Sequence, residues 1–202
     1  MRRFILVGQT AHADGGFSLD DLASSSGRLD ALLHCIRAAL LVSNGVRRDV
    51  QLYLVLRGGD KAPRTLRFDG ESVKFLRPDE RSLAILVQKT LVACDAAGLG
   101  RDFQEMRPGI FACAGDLPEV VSDIGAGAKY LLHEQGADVR EQALAGDATF
   151  FIGDQLGFDA ATLERLDALG CVRISLGPTS LHSEDAIAVL SNELDRQSSR
   201  LS

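Results

Sequence analysis

The chain has 202 residues, of which 46% are hydrophobic and 25% are charged, so it can bury a core and has the composition of a folded globular protein. No apolar run approaches the roughly 20 residues that a membrane-spanning helix needs. The net charge of −6 argues against indiscriminate DNA binding. Residues 1–100 nevertheless carry 14 basic against 11 acidic residues, whereas residues 101–202 carry 8 against 17. The basic excess between Arg47 and Arg81 fits either a solvated face or a surface for a phosphate backbone.

The first half of the chain alternates apolar runs with helical patterns. Leucine and isoleucine recur at helical spacing in residues 28–43, and Pro78 and Gly98 delimit a second, longer helix. Turn-type residues at 69–71 predict a hairpin. The predicted elements are strands over 4–7, 51–56, 65–68 and 73–75, with helices over 28–43 and 79–97.

The second half continues the alternation of strands and helices. The predicted strands cover 109–113, 129–133, 148–152 and 172–175, and the predicted helices cover 117–124, 160–169 and 182–196. We expect the chain to fray after Arg196. Repeated strand–helix alternation predicts an α/β fold with a mainly parallel sheet and helices on both faces.

The four cysteines are scattered, with no CxxC pair and no His at metal-ligand spacing. We therefore expect buried thiols in a cytoplasmic protein and no metal site. The cysteines are Cys35, Cys94, Cys113 and Cys171.

Common nucleotide and hydrolase motifs do not occur. The sequence contains no GxxxxGK[ST], no G-x-S-x-G, and no continuation of Gly8 into GxGxxG. His12 and Asp14 suggest a metal or catalytic loop, but one His and one Asp are too few ligands, which favours a surface turn.

Three strand ends in the last third carry small residues or a polar pair. They are Leu132-His133-Glu134, Ile152-Gly153-Asp154 and Leu176-Gly177-Pro178. Small residues let backbone groups contact a ligand at the carboxyl edge of a parallel sheet. The pattern predicts a site for a compact cofactor such as a nucleoside, although tight turns between elements are the alternative.

This arrangement resembles the SPOUT class of methyltransferases. Five further segments are similar, in order and spacing, to the archaeal tRNA (pseudouridine-54) N1-methyltransferase family and its bacterial relatives: residues 17–22, 27–30, 47–49, 78–81 and 192–195. The resemblance covers nearly the whole chain. It implies a single trefoil-knotted α/β domain over 1–202, with the cofactor-binding knot over about 128–198. It also implies a homodimer, for which the apolar faces of 182–196 and 117–124 are suitable surfaces.

The resemblance also implies S-adenosylmethionine as cofactor. Apolar side chains then line the adenine slot and backbone groups bind the adenine edge. Archaeal members carry a Cys where this chain has Ala186, which leaves cofactor binding possible but puts the nucleoside substrate in question. His182 is nearby, either as a surface residue or as a catalyst. The implied cofactor residues are Leu132, Gly153, Leu176, Gly177, Pro178, Thr179, Ser180, Leu181 and Ala186.

N1 of pseudouridine bears a proton, so its methylation needs a base or an anion-stabilising group. We expect Asp30 to accept this proton or hold the substrate, and Arg28 to stabilise negative charge on the uracil ring. The alternative is an Asp at a helix N-terminus beside a solvated Arg. Arg47, Arg48 and Arg81 are candidates for RNA phosphates or for organising the N-terminal face, and Asp49, Asp79 and Glu80 are their candidate partners.

The sequence therefore predicts a cytoplasmic, S-adenosylmethionine-dependent enzyme that methylates N1 of pseudouridine in RNA, most notably tRNA. It needs no metal and no membrane. Two alternatives remain open: methylation of uridine N3 or a ribose 2′-hydroxyl on the same scaffold, and a non-catalytic RNA-binding protein.

Overall fold

The structure, a computed structural model, describes residues 1–200, with side chains through residue 199. Helices and strands alternate along most of this length, and a single 3-10 turn covers Val139–Glu141. The elements are β1 (Arg2–His12), α1 (Leu22–Ser25), α2 (Leu29–Leu40), β2 (Leu41–Val42), β3 (Gly45–Val46), β4 (Val50–Gly58), β5 (Arg64–Asp69), α3 (Glu80–Ala97), β6 (Gln104–Arg107), β7 (Ile110–Cys113), α4 (Leu117–Ile124), β8 (Ala128–Asp138), β9 (Ala148–Gly153), α5 (Ala160–Ala168), β10 (Val172–Ser175) and α6 (Ser183–Arg200).

Eight strands form one sheet in the order β10-β8-β9-β1-β4-β5-β7-β6. The strands from β10 to β4 are parallel, whereas β5, β7 and β6 are added antiparallel to their neighbours. Arg2 of β1 pairs with both Val50 and Ala148, so β1, β4 and β9 begin at one edge and end together at the opposite one. The predicted mainly parallel α/β sheet is confirmed, and the trefoil knot stays a prediction.

Helices cover both faces of the sheet because successive residues of β1 point to opposite sides. Phe4 and Leu6 belong to a core that includes the buried faces of α2, α3 and α6. Ile5 and Val7 belong to a second core with α4 and α5. All four β1 side chains are at most 1% exposed, and each contributes about 1.5–3 kcal/mol by leaving water.

The predicted hairpin between 65–68 and 73–75 is wrong. Strand β5 pairs instead with β7, a partner distant in sequence. Val73 is buried, and its N–H donates to the carbonyl of Asp69, so the chain turns there rather than extending. Phe75 has a φ of +63°, which an extended strand does not allow.

The predicted ends of two helices are also corrected. Helix α2 stops at Leu40, because the chain passes directly into the β2–β3 hairpin. Helix α6 continues past Arg196 to Arg200, and the Gln197 side chain binds the carbonyl of Gln142 at 3.1 Å. The expected fraying is therefore wrong for residues 197–200, and residues 201–202 lie outside the described part.

The apolar faces of α4 and α6 pack into the chain's own core, so their assignment as dimer surfaces is wrong. Leu117 and Val120 of α4 are fully buried, as are Ile187 and Leu190 of α6. Val189 of α6 is the exception, since 39% of it remains exposed.

Cys35, Cys94 and Cys113 are buried, whereas Cys171 is only half-buried, so the expectation of buried thiols is wrong for that residue. Burial raises the pKa of the Cys94 thiol to about 11 and that of Cys113 to about 12. These thiols are therefore protonated at neutral pH and weak nucleophiles.

Candidate functional site

A cavity of about 950 Å³ lies at the carboxyl edge of the parallel strands. Its walls come from the middle of β8, the ends of β9 and β10, the loops that follow β9 and β10, and the amino-terminal turns of α2 and α6. The β8 residues lie where the pairing of β8 with β10 shifts register, between Leu131 and Ala137. This is the edge at which open α/β sheets bind ligands, and the volume is within the range of cofactor sites. The fold therefore brings the three predicted segments together in one place. The strand end predicted at 132–134 is wrong, however, because β8 continues to Asp138.

The loop after β9 is held by a small set of polar contacts. The Asp154 carboxylate accepts the N–H of Gln9 at 2.7 Å and that of Leu156 at 2.8 Å. A Cβ on Gly153 would lie 2.8 Å from the Cα of Gly157, so only glycine permits this turn. Ser183 donates its hydroxyl to the carbonyl of Gly153 at 2.8 Å, which ties the start of α6 to the end of β9.

Eight of the nine predicted cofactor residues line the cavity. Pro178 is the exception, since it does not contribute to the cavity wall. Ala186 is 6% exposed and lies on the α6 side, so this predicted residue does face the site. Whether these residues bind the cofactor stays a prediction. The lining members are Leu132, Gly153, Leu176, Gly177, Thr179, Ser180, Leu181 and Ala186.

Arg28 and Asp30 lie in the same cavity, at the start of α2. The Arg28 guanidinium donates to both carboxylate oxygens of Asp30, from Nε at 3.1 Å and from Nη2 at 3.2 Å. The hydrogen bond to Asp30 and the charge of Asp30 raise the pKa of Arg28. The two side chains therefore form a bidentate ion pair rather than a capping Asp beside a free Arg.

The backbone before this pair adopts a conformation that other residues fix. Arg28 has a φ of +69°, unusual for a residue with a side chain. Thr10 donates its hydroxyl to the carbonyl of Gly27 at 2.9 Å, and Ser26 accepts the N–H of Leu29 at 3.1 Å. A Cβ on Gly27 would lie 1.9 Å from the carbonyl oxygen of Thr10, so the end of β1 presses directly on this turn.

Sequence reasoning missed His34 and Glu184, which both line the cavity. His34 Nε2 lies 2.9 Å from the Glu80 carboxylate, and its Nδ1 lies 3.8 Å from Glu184. His34 follows Asp30 by four residues on α2, so helical periodicity places both on the same face of the helix and could have indicated His34. No comparable pattern indicated Glu184.

The charge of the lining is predominantly acidic. Asp30, Glu134, Asp154 and Glu184 contribute carboxylates, and Arg28 contributes the single guanidinium. Such a lining favours a ligand with positive charge and opposes the entry of phosphates. Predicted His182 also lies on the wall.

Arg47 and Arg48 lie away from the cavity. Arg47 donates to both carboxylate oxygens of Asp195, at 3.1 and 2.8 Å, and Arg48 donates to the carbonyl of Glu71 at 2.8 Å. Asp195 follows Ser183 by twelve residues of helix, or about 18 Å. These contacts favour the second predicted alternative, in which the two arginines organise the N-terminal face, and a role in RNA binding stays a prediction.

Arg81 lies close to the cavity, because the preceding residue, Glu80, contacts the cavity residue His34. It pairs with Asp20 at 3.1 Å, and its side chain is 62% exposed. The predicted acidic partners are wrong: Asp49 pairs with Arg2 at 3.4 Å, while Asp79 caps α3 by accepting the N–H of Ser82.

The predicted surface turn is wrong for His12, which is the last residue of β1, whereas Asp14 lies in the bend that follows. Asp14 accepts the N–H of Gly16 at 2.9 Å, and Ala13 is fully buried. Among the described residues, no three His, Cys, Asp or Glu side chains are grouped as a metal ion requires. None of the helices in the described part has the length and hydropathy of a membrane span.

A parallel sheet with a loop-built acidic cavity at its carboxyl edge defines a class of α/β proteins that bind a nucleoside-like cofactor there. The fold is similar to that of Archaeoglobus fulgidus Nep1, solved with S-adenosylhomocysteine, with a TM-score of 0.66, 18% identity and coverage of 98% and 99% of the two chains. The family described as "Putative SAM-dependent RNA methyltransferase" matches residues 1–199. The chain belongs to this family.

Two relatives are similar over almost their full length. Both are named tRNA (pseudouridine(54)-N(1))-methyltransferase. The one from Methanococcoides burtonii is 37% identical, covering 97% of this chain and 96% of the relative. The one from Methanosarcina mazei is 39% identical, covering 97% and 92%. The resemblance stated from the sequence is confirmed.

Proposed function

We propose that this protein transfers the methyl group of S-adenosylmethionine to N1 of pseudouridine in tRNA. The observation that carries the proposal is that one cavity is lined by the Arg28–Asp30 ion pair, the middle of β8 and the loops after β9 and β10. The names of relatives at 37% and 39% identity support the same reaction. Position 54, the site in those names, is the proposed target.

The residues present fit the cofactor. The cavity volume of about 950 Å³ leaves room for a methionine–adenosine conjugate together with a flipped base. Leu156 and Leu181, 63% and 41% exposed, offer apolar surface for a ring. The acidic lining complements the sulfonium, which supplies an electrophilic methyl group when the cofactor is bound.

Asp30 acts as the proton acceptor in this proposal. It would take the N1 proton as N1 gains the methyl group. Bound S-adenosylmethionine would supply that group, and its sulfur would keep the electron pair of the broken bond. Both oxygens of Asp30 face Arg28, yet each carboxylate oxygen keeps a further lone pair for the proton. The Arg28 guanidinium then stabilises charge on the uracil oxygen, and positioning supplies the remaining rate enhancement.

The first test measures methyl transfer from labelled S-adenosylmethionine to a tRNA with pseudouridine or uridine at position 54. We expect transfer only to the pseudouridine tRNA. Asp30→Ala should lower transfer by at least about 100-fold. Calorimetry should show a far smaller loss of cofactor affinity, because three other carboxylates of the lining remain. Asp185→Ala, in the exposed first turn of α6, is the matched control and should retain activity. Full activity of Asp30→Ala would contradict its role.

A second acceptor atom is tested because Ala186 faces the cavity. The resemblance implies a Cys at this position in archaeal members. Mass spectrometry of nucleosides from the methylated tRNA separates the cases. A methyl on uridine N3 or on a ribose would replace the proposed reaction with another on the same scaffold. Cofactor binding without any methylated RNA would favour the non-catalytic alternative.

We also propose that the protein is a cytoplasmic homodimer formed from one domain per chain, with residues 128–198 as its knotted, cofactor-binding part. Exposed apolar side chains within residues 128–198 support a dimer surface, namely Val172, Leu181 and Val189. Val189 is the large apolar residue of α6 that the chain's own core leaves exposed. Sedimentation of the full chain tests the dimer, and a monomer at micromolar concentration would contradict it.

A further inference from the structure

Phe75 differs from the other phenylalanines of the chain. Its residue surface is 83% exposed, whereas Phe4, Phe68 and Phe150 are fully buried. The remaining phenylalanines are buried or half-buried, so Phe75 is the single strongly exposed aromatic residue within the described part of the chain. Phe75 is also more exposed than any other large apolar residue in the described part of the chain, which makes this position informative.

The structure holds Phe75 in this exposed position. Val73 before it is 4% exposed, and Leu76 after it packs against the core. The Lys74 N–H donates to the carbonyl of Pro108 at 3.3 Å, which fixes the segment to the neighbouring turn. Phe75 itself has a φ of +63°, and Arg28, in the candidate site, is the other described residue with a side chain and a positive φ.

The exposed ring is flanked by positive charge. Residues 72–78 contain Lys74 and Arg77 and no acidic residue. Both side chains are on the surface, and no ion pair involves either of them within the described residues. The acids that follow are engaged elsewhere, since Asp79 caps α3 and Glu80 binds His34.

Phe75 is close enough to the candidate site to contact the same RNA. The five-residue step from Phe75 to Glu80 spans at most about 17 Å. The Glu80 carboxylate lies 2.9 Å from His34, which lines the cavity. A strand that places one nucleotide in the cavity therefore reaches Phe75 within a few nucleotides.

We propose that Phe75, Lys74 and Arg77 form a second RNA contact outside the cavity, in which the Phe75 ring stacks on an unpaired base of the substrate. This inference rests on the proposed function, because it assumes an RNA substrate. Exposed aromatic rings beside basic side chains are the usual platform for unpaired bases. The two cations contact the flanking phosphates, which the acidic cavity cannot do.

A protein surface is the competing occupant. Protein interfaces need a contiguous apolar patch, and the exposed neighbours of Phe75 in sequence are Lys74 and Arg77. The charge pattern therefore favours RNA, and the experiments below separate the two.

The chain contains no tryptophan, so Phe75→Trp introduces a single fluorescent reporter at this position. We expect an unpaired RNA oligonucleotide or tRNA to quench its emission, and a duplex of the same sequence to have a much smaller effect. Emission that does not change when RNA is added would show that the ring makes no RNA contact and would overturn the proposal. Emission that changes with protein concentration alone would indicate a protein contact instead and would also overturn it.

Matched substitutions test the stacking itself by tRNA affinity. Phe75→Ala and Phe75→Leu should each weaken binding at least about fivefold, the loss expected for one stacked base, and Phe75→Trp should preserve it. Phe75→Leu keeps an apolar side chain with the same backbone strain, so full affinity of this variant would overturn stacking. Cofactor affinity, unchanged in all three, reports that the fold is intact.

Lys74→Ala with Arg77→Ala tests the binding of phosphates. The slope of log affinity against log salt should fall by about 0.7 for each phosphate that the double variant no longer neutralises. An unchanged slope would remove the two cations from the proposal. This readout is distinct from methyl transfer. If the wild-type protein methylates tRNA and all these variants bind tRNA normally, this inference alone is contradicted. If the wild-type protein has no affinity for tRNA, the proposed function is contradicted.

Discussion

At the scale of single residues, the turn before α2 is the most tightly constrained part of the candidate site. Thr10, at the end of β1, bonds to the carbonyl of Gly27, and the next residue, Arg28, has a positive φ. The position of Asp30 therefore depends on a hydrogen bond from a residue twenty positions earlier in the chain.

Replacing Thr10 tests this dependence. Thr10→Val removes the hydroxyl and keeps the shape, so the turn that orients Asp30 should loosen. We expect the rate of methyl transfer at saturating cofactor to fall by about tenfold, because small displacements of a catalytic group are costly. Single-turnover assays measure the rate, and calorimetry should show unchanged cofactor affinity. Thr10→Ser should restore the rate; if it does not, the hydroxyl is not the cause.

Gly27→Ala tests the close approach of β1 to this turn. A Cβ at this position would lie 1.9 Å from a backbone oxygen and would occupy a positive φ. We expect the free energy of unfolding to fall by about 3 kcal/mol, measured with urea. Gly45→Ala has no heavy atom within 4 Å of the new Cβ and should stay within about 0.5 kcal/mol of wild type. Equal losses in the two variants would refute the steric argument.

At the scale of elements, the sequence predicted what local patterns encode. The periodicity of residues 28–43 and the strand at 148–152 placed α2 and β9 correctly within a few residues. The motif around Arg28 and Asp30 located the candidate catalytic pair. His34 and Glu184 escaped because they meet only when α2, α3 and α6 pack together. The turn-type residues at 69–71 gave a wrong hairpin prediction, because β5 pairs with β7, about forty residues further along the chain, and not with residues 73–75.

Two arginines, Arg2 and Arg47, bind the carboxyl-terminal part of α6. The sequence analysis named Arg47 as a candidate RNA-binding residue. Asp195 accepts hydrogen bonds from Arg47 and Arg2. Arg47→Ala should lower the free energy of unfolding by about 1 kcal/mol, as expected for a partly exposed pair, and should leave tRNA affinity unchanged. A large loss of tRNA affinity with normal stability would restore Arg47 to the RNA surface.

The same cluster predicts a dependence on pH. Burial opposes ionisation of Asp195, but hydrogen bonds from Arg47 and Arg2 outweigh it and lower its pKa. The stabilisation is therefore complete above the unfolded pKa of about 3.9 and is lost as the pH falls through the lower folded value. The stability difference between wild type and Asp195→Asn should be largest near neutral pH and shrink below about pH 4. A difference that stays constant down to about pH 3 would contradict this linkage.

At the scale of the whole molecule, Arg57 joins elements from distant parts of the chain. From the end of β4 it donates to Asp116 before α4, to Gln9 of β1 and to Asp159 before α5. Hydrogen bonds from Thr162 also lower the pKa of Asp159 to about 2, so this carboxylate is ionised throughout the physiological range. Since Asp159 follows the loop after β9, Arg57 supports one wall of the cavity.

Arg57→Gln should therefore affect both stability and the cavity. We expect a loss of about 2 kcal/mol in the free energy of unfolding, because hydrogen bonds to charged groups are removed. Cofactor affinity should fall with it, measured by calorimetry. Arg173→Gln, which removes the exposed ion pair with Asp167, is the control and should change neither quantity. Weaker stability with normal cofactor affinity would show that the loop holds its shape without Arg57.

The central place of β1 has a consequence for how the chain is made. Its two sheet neighbours are β4 and β9, and residue 2 pairs with residue 148 as well as with residue 50. Until the ribosome has delivered β9, one side of β1 stays unpaired although Phe4–Val7 are among the most apolar residues of the protein. During that interval the nascent polypeptide exposes an unpaired, apolar strand edge, which makes it prone to aggregation before the sheet is complete.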